Sequence, residues 1–102
     1  MATDVRKFIP EGIPQTKNGS WKTGVDIYGD LRQVLIQPKT PDTMYDIGIK
    51  DDSGMLIFVK YDVHGPLATE DLNIVMFPGE HQLIIENATR DEEFRVKLIY
   101  QL

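Results

Sequence analysis

Residues 93–102 alternate almost without a break: Phe94, Val96, Leu98, Tyr100 and Leu102 fall on one side, and Glu93, Arg95, Lys97 and Gln101 on the other. A period of two is what a β-strand with one buried face demands, because successive side chains point to opposite faces of a sheet. The same rhythm recurs along most of the chain, and no stretch carries the spacing of an amphipathic helix. An all-β protein is the expectation. The 102 residues are 41% hydrophobic, enough for one modest core but not for two.

The strand ladder is expected to begin with Thr23, Val25 and Ile27, alternating with Gly24, Asp26 and Tyr28. Gly29-Asp30 should turn the chain, and Val34 and Ile36 lie on one face of the next strand, which Pro38 ends. Tyr45, Ile47 and Ile49 should face inward, against Asp46 and Lys50. Asp51-Asp52-Ser53-Gly54 reads as a hairpin turn, since Gly and Asp accept the positive φ such turns require. The following strand places Met55, Ile57, Val59, Tyr61 and Val63 on one face, until His64-Gly65-Pro66 breaks it. Leu72, Ile74 and Met76 form a further strand, which Pro78-Gly79 should end, before Leu83 and Ile85 mark another. About seven or eight short strands separated by turns predict an antiparallel β-sandwich, jelly-roll-like, with a small open barrel as the alternative.

Residues 1–18 differ from the sandwich domain expected over residues 19–102. Pro10-Glu11-Gly12-Ile13-Pro14 is poor in periodicity and rich in residues that favour extended shapes, so an extended N-terminal arm is expected. The arm carries Val5, Phe8, Ile9 and Ile13, which want a partner surface. They either fold over the domain's own core edge or embrace a neighbouring subunit. Other strands carry apolar residues on the face that should be polar: Leu35, Leu56, Phe58, Val75 and Phe77. Each such side chain, once buried, contributes roughly 1.5–3 kcal/mol, so a collected outer patch would favour a subunit or partner interface.

The net charge is −5 and the pI about 4.8, and the basic residues are scattered. That argues against nucleic-acid binding, which needs clustered Lys and Arg. Cysteine is absent, which removes disulfides and thiolate metal sites. No secretory signal or membrane helix is expected, and neither is a C-terminal tail beyond the last strand. His64 and His81 adjoin turn residues and lack the ligand spacing of a metal site. Asp42, Asp51 and Asp52 suit turns better than calcium, and Asp91, Glu92 and Glu93 read as a solvated turn. Neither Ser20 nor Ser53 sits in a nucleophile elbow. No catalytic residue, metal or cofactor is expected, so the chain reads as a non-enzyme. Trp21, near Tyr28, offers an alternative: a stacking platform for a carbohydrate or another ligand.

The order of signals carries a resemblance. Trp21-Lys22-Thr23-Gly24-Val25, Val34-Leu35-Ile36-Gln37-Pro38, Tyr45-Asp46-Ile47-Gly48-Ile49-Lys50-Asp51-Asp52-Ser53-Gly54, Leu83-Ile84-Ile85-Glu86-Asn87-Ala88 and Val96-Lys97-Leu98-Ile99-Tyr100 follow one another as strand, Pro, loop, Tyr-Asp strand, Asp-x-x-Gly turn and closing strand. Over residues 20–102 this resembles small structural proteins of tailed bacteriophages. The resemblance implies a virion protein assembled in the host cytoplasm, a capsid decoration (cement) or head–tail component. It also implies a homo-oligomer that binds other virion proteins such as the major capsid protein. Phe77-Pro78-Gly79-Glu80-His81-Gln82-Leu83 is more weakly similar to the β-sandwich at the C-termini of secreted bacterial peptidases.

Overall fold

The computed structural model describes the backbone of residues 5–8 and 19–101 and the side chains of residues 19–20 and 26–101. The alternation of the closing segment becomes burial there: in β7 (Phe94–Gln101), Phe94, Val96, Leu98 and Tyr100 are buried, while Arg95 is exposed and Lys97 and Ile99 are half-buried. Leu102 lies outside the described residues. Six further strands join it: β1 (Val5–Phe8), β2 (Gly19–Pro38), β3 (Met44–Lys50), β4 (Leu56–His64), β5 (Leu67–Ala68) and β6 (Ile74–Glu86). Every pairing is antiparallel, in the order β1-β7-β2-β6-β3-β4, with β5 also on β2. The all-β, antiparallel expectation holds. The pairing builds one curled, half-barrel-like sheet, and a division into two stacked layers does not follow from it.

Two long strands replace what the sequence suggested were four short ones. Gly29-Asp30 does not turn the chain; β2 runs through it for 20 residues. Its first part, residues 19–31, pairs with β6, and its second, residues 30–38, with β7. Gly29, at φ 114°, absorbs the bend. An extra residue, Arg32, slips the register against β7, so Leu31, Val34 and Ile36 all stay buried. Likewise Pro78-Gly79 does not end a strand. Phe77 and Pro78 together oppose the single Tyr28, a β-bulge where a proline costs no ladder bond. The bulge shifts the alternation by one residue, so Met76 above it and Gly79, His81, Leu83 and Ile85 below it are all buried. A Cβ on Gly79 would lie 2.6 Å from Cβ of Asp52, so the turn between β3 and β4 packs directly against β6 here.

Bulges also correct the face assigned to β4. Extra residues at Ile57 and at the 61–62 step, where Asp62 has φ 54°, re-aim the strand twice. Val59 and Tyr61 are therefore exposed instead of inward, as is Met55 in the turn before β4, whereas Phe58, expected outside, packs against the core. Ile57 and Val63 do belong to the core side. The hairpin turn at residues 51–54 forms as expected: Asp51 Oδ1 accepts from the Ser53 amide, the Ser53 hydroxyl and the Met55 amide, and Gly54 takes φ 85°.

One apolar core results, including Ile27, Leu31, Tyr45, Ile47, Ile49, Leu83, Phe94 and Leu98. Tyr45 and Phe94 meet edge to face at 5.0 Å, and the Tyr45 hydroxyl donates to the Gly65 carbonyl at 2.7 Å. Burial pushes the Tyr45 phenol pKa up. The four described residues of the expected arm are sheet: β1 pairs with β7 of the same chain, from Val5 opposite Gln101 to Phe8 opposite Leu98. Ile9 and Ile13, and the side chains of Val5 and Phe8, lie outside the described residues.

Candidate interaction surface

The outer face of the sheet holds the features of chemical interest. Because Tyr45, Ile47 and Ile49 point inward, Asp46, Gly48 and Lys50 of β3 take the outer positions. Gly48 lies opposite Val59 of β4 on one side and Ile84 of β6 on the other. Its missing side chain leaves a shallow hollow of about 140 Å³, walled by Leu56, Val59, Tyr61 and Ile84. A Cβ on Gly48 would meet Leu56 Cδ1 at 3.1 Å. Leu56, Val59 and Tyr61 are exposed, Tyr61 at 66%. Lys50 closes one end of the hollow, and Asp46 with Glu86 the other.

Asp46 and Glu86 are directly opposed across the β3–β6 ladder, an arrangement that like charges make unfavourable. The two Asp46 oxygens accept from the Asn87 side-chain amide at 2.8 Å and the Asp62 backbone amide at 2.9 Å. The Asn87 bond and then the Asp62 bond hold the Asp46 carboxyl below its ordinary value of 3.8. No basic side chain among the described residues forms an ion pair with Asp46 or Glu86.

A second cluster lies along β6. Val75 is 59% exposed and Phe77 71% exposed, and the bulge sets Phe77 opposite the exposed Tyr28. Another opposed carboxylate pair, Asp26 and Glu80, lies beyond Ile27 and Gly79 in this ladder. Of the apolar residues expected on an outer face, Leu56, Val75 and Phe77 are exposed there. Leu35 is half-buried between Lys97 of β7 and Ala68 of β5, and Phe58 points in. Val59 and Tyr61 escaped sequence reading as outer residues, because the bulges that place them leave no mark in apolar periodicity. The alternative platform is half described: Tyr28 is exposed, and the Trp21 side chain lies outside the described residues.

The titratable groups sort differently from expectation. His81 is not at a turn or on the surface; it is fully buried in β6, with Nδ1 3.0 Å from the Gly79 carbonyl. His64 is exposed at the end of β4. Glu92 is more than a solvated turn residue. It accepts from the Thr40 hydroxyl at 2.5 Å, from the Thr40 amide at 3.3 Å and from the hydroxyl of fully buried Thr43. Partial burial raises its pKa, but these bonds and the Arg90 charge outweigh that and hold it below its ordinary 4.5. Arg90 in turn pairs with Asp42 at 2.5 Å, and that bond lowers the Asp42 carboxyl. Together they clamp residues 40–43 to residues 90–92. Among the described residues, no three metal-ligating side chains converge. A larger open hollow of about 340 Å³ between Pro38 and Arg95 is lined by scattered polar groups.

No protein-family model matches this sequence, and no curated protein matches it.

Proposed function

We propose that this chain is a non-enzymatic structural protein that works by contact with other polypeptides. The resemblance of residues 20–102 to tailed-phage proteins supports a virion as the setting, as a capsid decoration or head–tail component. The observation that carries the reading is the exposure of Val75 and Phe77, at 59% and 71%, on a strand paired with β2. Large apolar side chains displayed on a fixed strand are costly in water and recover that cost when a partner surface covers them. Aromatic residues in such positions are also the usual energetic centres of protein contacts.

The test is co-sedimentation of the chain with assembled particles of the phage that encodes it, for the native sequence and for the double variant Val75→Ser/Phe77→Ser. Both residues face outward, so the variant should melt within a few degrees of the native protein. The expected result is particle association by the native chain, lost in the variant. A native chain found wholly in the unassembled fraction would refute the proposal.

A further inference from the structure

The hollow over Gly48 is small, apolar and charged oppositely at its two ends, and this asymmetry specifies an occupant. We infer that it receives an extended segment of a partner polypeptide carrying a basic, a large apolar and an acidic side chain at alternate positions. The basic residue lies at Asp46 and Glu86, the apolar one over Gly48, and the acidic one at Lys50. The inference rests on the contact function proposed above and names the chemistry of one of its partners.

Spacing supports the match. Asp46, Gly48 and Lys50 are alternate residues of one strand, so successive positions stand about 6.5–7 Å apart, the same repeat an extended peptide presents on one face. Gly48 allows the apolar side chain to approach the sheet between Val59 and Ile84, with Tyr61 as a wall. Charge complementarity selects the ends. Asp46 and Glu86 face one another without a basic partner among the described residues, and a cation placed there would relieve their repulsion. The same pair disfavours a second copy of this chain, whose net charge is −5 and whose corresponding face is acidic in the same places.

The test uses the full chain, labelled with ¹⁵N, and short blocked peptides in which lysine, leucine and glutamate occupy alternate positions between serines and threonines. Saturable shifts of the Gly48, Val59, Tyr61 and Ile84 amides are expected. Serine in place of leucine should weaken binding about tenfold or more, since it forfeits the buried side chain. Threonine in place of lysine should weaken it about threefold, the size of an exposed ion pair, and glutamate there should weaken it further by like-charge repulsion. The variant Lys50→Glu should reverse the preference at the far end, favouring a peptide with lysine at both charged positions. Gly48→Ala should weaken binding of the parent peptide by filling the floor.

Absence of saturable shifts, equal affinity for the serine peptide, or an unreversed preference in Lys50→Glu would each overturn the inference. Concentration-dependent shifts of the same amides without peptide would assign the face to a second copy and overturn it too. Failure here is separable from failure of the contact function. The Val75 and Phe77 cluster lies roughly 23–30 Å away along β6, and particle association is measured there independently.

Discussion

Gly65 and Gly48 are both buried glycines, but the surroundings give them opposite tolerance. Gly65 has φ +68°, and a Cβ there would lie 2.2 Å from the Pro41 carbonyl oxygen. Its own amide donates to Thr43 at 2.8 Å and its carbonyl accepts from Tyr45, so the backbone has no freedom to retreat. Gly65→Ala should therefore destabilise the protein by about 2 kcal/mol or more, because strain and a backbone clash add. Gly48 has no positive φ, and its added Cβ would come close only to the end of the flexible Leu56 side chain, at 3.1 Å, with the Phe58 carbonyl oxygen in ordinary contact at 3.8 Å. Gly48→Ala should cost no more than about 1 kcal/mol. Urea denaturation of the two variants checks the contrast; equal losses would show that Leu56 cannot give way. At this scale the sequence is a partial guide. His64-Gly65-Pro66 announces a break, but nothing in it reveals that Pro41 closes over Gly65 or that His81 is buried.

Strands were legible where the alternation ran unbroken, as in β7 and β3, and the turn between β3 and β4 was legible through its Asp and Gly residues. They were misread where a bulge intervened. Gly29 and Pro78-Gly79 are residue types that end strands in most settings, and only the partner strands reveal that here they bend a continuous one. The two β4 bulges moved Phe58 inward and Val59 and Tyr61 outward, which is why the outer surface was only partly foreseen. At β1 the sequence left two alternatives for the arm, its own domain or a neighbour, and the ladder places Val5–Phe8 on β7 of the same chain. Its pairing covers only residues 98–101 of β7. Deleting residues 1–8 should therefore lower amide-exchange protection at residues 98–101 and leave residues 94–97 largely protected by β2. Unchanged protection at 98–101 would mean that β1 contributes no stability to the ladder.

Across the whole molecule, the carboxylates set the response to acid. Asp42, Asp46, Asp51 and Glu92 all have pKa values below their ordinary 3.8 or 4.5. For Asp51 the cause is chiefly the bond from the Ser53 hydroxyl, followed by the Met55 amide. A lowered folded-state value means that the ionised form is held more tightly in the folded protein. The stabilisation is thus complete above the unfolded-state values and is lost as pH falls through the folded ones. Denaturation midpoints should stay level at mildly acidic pH and fall below about pH 4.5. Glu92→Gln should be less stable than the native chain near neutral pH and should show a smaller drop at about pH 3, because Gln cannot titrate. An equal drop in both would acquit Glu92. None of these linkages was visible in the acidic run at residues 91–93, since the threonines they clamp lie some fifty positions earlier.

The divided allegiance of β2 bears on how the chain is made. Its first part pairs with residues 74–85 and its second with residues 94–101, so neither ladder can form from local neighbours alone. During synthesis the second part of β2 emerges well before β7, and most of the edge that β7 will pair stays open until β7 leaves the ribosome. Completion of the sheet therefore waits on the emergence of β7, and the interval before it is when the nascent polypeptide is most open to chaperones and to mispairing.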